Sequence, residues 1–197
     1  SEDGKVSMRS KGAATEALRE ALRKNFKAAG PRDTAELTSN FDLDGTLDRW
    51  AVEFPFFFPF PFAMMDFWES GDPLAKWSVP QILAGRRSGG SPKSCAACII
   101  NTDTSSGPGK HWVCVFVGAR DTKTEAEKAR LRAAGKPAGC PITVEYFNSA
   151  GNPPPAAAAK WMEETRDDLI RWEAANGTNR PVQTRSVTSV LHQRSDT

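Results

Sequence analysis

The sequence predicts an α+β domain. Three observations carry that prediction: continuous apolar runs of strand length at residues 98–102 and 111–117, a β-branched alternating stretch at 182–193, and amphipathic stretches of helical period at 15–29 and 155–175. Along the chain they read as helix, irregular wrap, three strands, helix and strand.

The first helix, "TEALREALRKNFKAA" at 15–29, places Leu18, Leu22 and Phe26 on one face, with Thr15 as cap and Gly30-Pro31 as stop. Residues 54–62, "FPFFFPFPF", set six Phe among three Pro. Proline lacks the amide proton and keeps its predecessor out of the helical region, so neither a helix nor a central strand forms there. An extended, buried wrap is expected, and an exposed aromatic patch is the alternative. "CIINT" (98–102) and "HWVCVFV" (111–117) read as strands buried on both faces, separated by the loop "DTSSGPGK". Residues 121–140 read as a solvated helix and "ITVEYFN" (142–148) as the next strand. From about Pro155 to Ala175 a second amphipathic helix sets Trp161, Thr165, Leu169 and Trp172 on one side, stopped by Asn176-Gly177. "VQTRSVTSVLHQ" (182–193) is the last strand.

At 197 residues and 39% hydrophobic content the chain can bury one substantial core. Its net charge of +2 hides a division: residues 37–76 hold seven acids against two bases, and residues 77–197 hold sixteen bases against eleven acids. Neither part is charged enough to require nucleic acid. No apolar run approaches a membrane span and no signal peptide is visible, so an intracellular setting is expected.

Three patterns invite a chemical reading. "NFDLDGTLDRW" (40–50) contains D-x-D-G-T, the nucleophile motif of haloacid-dehalogenase-like phosphatases, in which Asp42 would attack phosphorus and Asp44 would act as acid and base with Mg2+. That chemistry needs a buried apolar strand before Asp42, and "ELTSN" is not one, so the motif reads as a helix start capped by Asp44 or Thr46. Among Cys95, Cys98, Cys114 and Cys140 the first two form C-x-x-C, but the others are 26 apart without a His at ligand spacing, so zinc is not expected. Cys98 and Cys114 read as small buried hydrophobes. His111 opens a strand behind a Gly-rich loop, where a substrate can reach it at a sheet edge. Antiparallel pairing of 111–117 with 142–148 would bring it beside Asn148, a residue type that orients an imidazole.

"CIINTDTSSGPGKHWVCVFV" followed by "VEYFNSAGN" resembles the adenovirus-type and SUMO-protease-type cysteine peptidases. It is most like the branch in large DNA viruses typified by the African swine fever virus polyprotein protease. The signatures of that branch stand here as "INTDTSSGPGKHW" (100–112), "YFNSAGN" (146–152) and "HQRSDT" (192–197), and "NFDLDGTLDRWAVEFP" with "PFAMMDF" also looks like the region upstream of the catalytic His. The resemblance covers residues 38–197 and makes the phosphatase match a coincidence. It implies a central mixed sheet flanked by helices, with residues 1–37 as an amino-terminal helical arm and 38–197 as a peptidase domain incomplete at its carboxyl end. His111 would be the general base, Asn148 its orienting partner, Gln193 an oxyanion-hole amide, and Trp112 a wall of the channel that threads a small-residue, often Gly-Gly, tail. His192 would be structural.

This chain departs from the family in two places. Residues 121–140 form a longer connection than usual, which a surface loop tolerates. The nucleophilic Cys, with the helix that carries it, is expected about two residues beyond Thr197, so the chain alone is expected to be inactive. The implied function is a viral cysteine endopeptidase, without cofactor, that processes capsid or core polyproteins in the virion or the cytoplasmic viral factory. Its alternatives are an inactive relative serving as a structural or capsid-associated protein, and a deSUMOylating or deubiquitinating isopeptidase.

Overall fold

The computed structural model describes residues 40–119, 124–136 and 139–187. The arm expected over 1–37, its helix at 15–29, and the end of the last expected strand lie outside the described residues. The chain divides into two compact units, with the boundary between Arg49 and Trp50.

Helix α1 spans Asn40–Glu53. It begins a turn earlier than the D-x-D-G-T motif suggests, so Asp44 and Thr46 lie inside the helix and do not cap it. Thr46 Oγ1 donates to the Asp42 carbonyl at 2.9 Å, a bond made back into the preceding turn.

From Trp50 onward, six strands among the described residues make one mixed sheet: β1 (Phe57–Pro59), β2 (Ala63–Met64), β3 (Cys95–Asn101), β4 (Trp112–Ala119), β5 (Ile142–Phe147) and β6 (Val182–Val187). The order is β1-β3-β4-β5-β6, with β2 also on β3. The Phe-Pro segment is thus an interrupted edge strand. Phe57 to Pro59 pair in parallel with Cys95 to Ala97, and Ala63 and Met64 with Ile100 and Asn101. Proline is tolerated there because only one side of the strand needs partners. Phe57 and Phe60 are buried while Phe54 and Phe56 are exposed, so the segment is both a wrap and, at its start, an aromatic surface.

Between β2 and β3 lie three short helices that the sequence pattern does not announce: α2 (Phe67–Ser70), α3 (Pro73–Lys76) and α4 (Val79–Leu83). Proline in the first turn of α3 and α4 supplies a preset φ, and Ser78 Oγ accepts from Gln81 N. The 121–140 connection forms the solvated helix α5 (Glu125–Ala133), opened by a Thr124–Glu127 capping box and burying none of its residues. Helix α6 (Ala156–Ala175) joins β5 to its parallel neighbour β6.

Helices α2 to α4 and α6 pack on one face of the sheet, joining Phe67, Leu74, Ile82, Trp161 and Leu169 to Ile100, Val115, Val144 and Tyr146 in one core. Indole N–H groups pin the layers: Trp161 donates to the Leu74 carbonyl at 2.9 Å and Trp68 to the Ala157 carbonyl at 3.0 Å. The other face differs from expectation. Ile99, Trp112, Cys114 and Phe116 on it are only half-buried, so strands that read as buried on both sides are fully covered on one.

Candidate active site

The site is built at one end of the two central strands. Antiparallel pairing of β3 and β4 sets Asn101 opposite Trp112, and the hairpin continues one residue further. Thr102 N donates to the His111 carbonyl at 2.8 Å, and His111 N donates to Thr102 Oγ1 at 3.2 Å. His111 therefore sits at the end of a central strand, not at a lateral edge of the sheet.

The loop before it has little regular structure, so its backbone N–H groups need other acceptors. The consecutive side chains of Asn101, Thr102 and Asp103 supply them. Asn101 Oδ1 accepts from Asp103 N at 2.9 Å and Lys110 N at 3.0 Å, joining both legs of the loop. Asp103 accepts from Thr104 N at 2.9 Å and Gly109 N at 3.1 Å. From outside, Asp66 accepts from Ser105 N and Oγ at 2.9 and 2.5 Å. Those Ser105 bonds hold the Asp66 carboxyl below its ordinary pKa, and the Thr104 N–H does the same for Asp103, helped by Gly109 and Lys110 against the effect of burial. Glycine is required at two places: a Cβ on Gly107 would come within 2.3 Å of the Asp103 carboxylate, and Gly109 has a φ of +92°.

Across the sheet, β5 pairs antiparallel with β4, as the sequence predicts, with Phe147 opposite Cys114. Asn148 follows as the strand ends. Its Oδ1 lies 2.9 Å from His111 Nε2 and also accepts from Ala150 N at 2.9 Å. An N–H can point only at the oxygen, so Ala150 fixes the orientation of the amide. His111 Nε2 must then carry the proton, which leaves Nδ1 as the basic nitrogen. Asn148 Nδ2 in turn donates to the hydroxyl of Tyr146 at 3.4 Å. Asn148 is 3% exposed and Tyr146 fully buried, whereas His111 is half-buried. Burial pushes the Tyr146 phenol up, the Asn148 bond opposing it, so at neutral pH it is an uncharged hydroxyl.

Trp112, beside the histidine, stands edge-on to Phe62 with ring centroids 6.3 Å apart. Gln193 and His192 lie outside the described residues. Cys95 and Cys98, three apart on a strand, fall on opposite faces of the sheet and cannot form a metal-binding pair. Among the described residues no cluster of His, Cys, Asp or Glu could hold a metal ion. Cys98 is buried as expected, but Cys114 lies half-buried on the face away from the packed core. Burial, with the Glu145 carboxylate adding to it, pushes the Cys114 thiol up to about 11. The ring of His111 is bonded to Asn148 and to none of the four cysteines.

Sequence reasoning expects His111 beside Asn148, where the structure places it, but does not foresee the contacts made by Asn101, Thr102, Asp103, Asp66 and Tyr146. The available signal is three polar acceptors in a row between an apolar run and a Gly-rich loop.

No protein-family model matches the chain. It is 35% identical over 187 residues to the cysteine protease of the African swine fever virus Tick/Malawi isolate, and equally to the SUMO-1 cysteine protease of the Pig/Kenya isolate. Both matches cover 91% of this chain and 60% of the relative, so the chain spans about three fifths of their length. A crystal structure of the African swine fever virus protease superposes with a TM-score of 0.66 at 31% identity, covering 91% of this chain and 63% of that one. A selenomethionine form gives 0.63 at 32% identity, over 87% and 57%. By sequence and by its mixed, helix-flanked sheet, the chain is similar over nine tenths of its own length to the cysteine protease of African swine fever virus.

Proposed function

We propose that this chain serves a viral cysteine endopeptidase that cleaves capsid or core polyproteins after small-residue, Gly-Gly-like sites, in the virion or the cytoplasmic viral factory. The observation that carries the reading is the 2.9 Å bond between His111 Nε2 and Asn148 Oδ1, which leaves Nδ1 basic. A histidine so held can take the proton of a thiol and later return it to the leaving amine. Gln193 would donate its amide to the oxyanion, and Trp112 with Phe62 would narrow the path of the substrate tail.

The thiol is the member still to be placed. Cys114, with its thiol pushed up to about 11, is poorly suited to act as a thiolate, and no cysteine bonds to His111. The reading puts the nucleophile shortly after Gln193, in the stretch of the family's length that this chain does not span, at a helix N-terminus that lowers its pKa.

Cleavage of a Gly-Gly-containing peptide by the product of the full coding frame tests the reading. His111→Ala should reduce the rate by about 10² to 10⁴. Asn148→Ala should reduce it less, because orienting a base matters less than supplying one. A His111→Ala enzyme with near-full activity would show the assignment to be wrong.

The name of the Pig/Kenya relative, a SUMO-1 cysteine protease, supports a second reading as an isopeptidase for ubiquitin-like tails. The chemistry would be the same and the docking surface different. Comparing cleavage of a folded ubiquitin-like substrate with that of its isolated tail peptide separates the two, since only the isopeptidase should strongly prefer the folded protein.

A further inference from the structure

We propose that Asp103 is a positioning residue for His111, its carboxylate holding the preceding loop in one conformation and so fixing the imidazole against Asn148. The proposal rests on the roles given above to His111 and Asn148. Asp103 is only 7% exposed, and its carboxylate is used from both legs of the loop. Oδ1 takes the Thr104 N–H on the outgoing leg, Oδ2 takes the Gly109 N–H on the returning leg, and the Lys110 ammonium lies 3.4 Å from Oδ1.

The loop folds so closely around this group that a Cβ on Gly107 would meet both of its oxygens within 2.5 Å. Gly109 and Lys110 lead directly into His111 and set the path by which the chain enters it. Thr102 holds the histidine's own backbone in the sheet, but the backbone just before the ring is held by Asp103 together with Asn101. A carboxylate is suited to this place because both oxygens accept. An amide in its place could accept on one oxygen only, so it would leave one leg of the loop unbound.

The ring nitrogens of His111 give a direct readout by ¹⁵N NMR on the 197-residue chain, without any need for activity. Recorded where the imidazole is neutral, the wild-type ring should carry its proton on Nε2 and leave Nδ1 bare. Asp103→Ala should turn this into an exchanging mixture of both tautomers. Asp103→Asn, which keeps the shape and should fold even where alanine does not, should shift the ring in the same direction. In the full-length enzyme both substitutions should lower kcat by about 10²-fold, the order expected for a misplacement near 1 Å, with KM little changed. Variants that lose thermal stability yet keep the wild-type tautomer and kcat would overturn the proposal, leaving Asp103 a purely structural residue. A neutral wild-type ring carrying its proton on Nδ1 would overturn the His111–Asn148 assignment itself.

Discussion

The meeting of His111 and Asn148 is legible in the sequence alone, because they flank two recognisable strands that pair antiparallel. They are 37 positions apart in sequence, yet the pairing of two recognisable strands brings them together. Asp103 and Tyr146 are not legible in that way, because an acid in a loop and a tyrosine in a strand have many ordinary uses. Only the folded chain reveals that Asp103 is wrapped by backbone N–H groups and that the Tyr146 hydroxyl meets the Asn148 amide. Cys114 gives a test at this scale. Burial, with Glu145, pushes its thiol up to about 11, so at pH 7 it is protonated and a poor nucleophile. Mass spectrometry after brief iodoacetamide treatment at pH 7 should find Cys114 unmodified, with labelling rising steeply toward pH 11. Rapid modification at neutral pH would contradict a thiol held protonated.

Elements with strong periodicity stand within a few residues of their expected places: α6, β3, β4 and β5 all lie where the apolar pattern puts them. Helices α2 to α4 escape because four or five residues are too few to show a helical period; Pro starts α3 and α4, Ser78 caps α4, and each of the three sets a residue in the core. Helix α1 settles the fate of the D-x-D-G-T motif, since Asp42 lies in its first turn and not at the end of a buried strand. Hydrolysis of a generic phosphate ester should therefore be undetectable. An activity lost in Asp42→Ala would show otherwise. The turn from α6 to β6 is held by Glu173, 3% exposed, which accepts from Arg180 Nε at 3.0 Å, Arg180 Nη2 at 2.7 Å and the Thr178 hydroxyl. The Arg180 guanidinium, with Thr178, holds the Glu173 carboxyl below its ordinary value of 4.5. Because the folded-state pKa is depressed, the stabilisation is present above about pH 4.5 and disappears as pH falls through the lowered value. Glu173→Ala should cost about 1–2 kcal/mol at pH 7 by urea unfolding, because the Arg180 side chain is 38% exposed and stays partly hydrated without its partner, and the gap from wild type should narrow in acid. A gap that stayed constant with pH would mean that the charge of Glu173 contributes nothing.

At the scale of the molecule, the unequal covering of the sheet matters most. One face packs against α2 to α4 and α6, while Ile99, Trp112, Cys114 and Phe116 on the other are half-buried and Phe147 is 40% exposed. An apolar face of this kind calls for another layer. The proposed nucleophile helix would supply it, so the full coding frame should bind less of the dye ANS than the 197-residue chain. Reading the gene past codon 197 should reveal the cysteine about two residues on, flanked by an acidic residue and Gly. Equal dye binding, or a stop or another residue at that codon, would favour an inactive structural relative. The sequence by itself determined the α+β class, most of the strands and helices, and the pair His111–Asn148, because apolar periodicity and reactive side chains are local properties of the chain. Only the tertiary structure decided which sheet face is packed, which way the Asn148 amide points, which ring nitrogen of His111 holds the proton, and why Gly107 and Gly109 surround Asp103. Each of these depends on groups brought within hydrogen-bond distance by strand pairing and loop closure, and sequence spacing does not encode those distances.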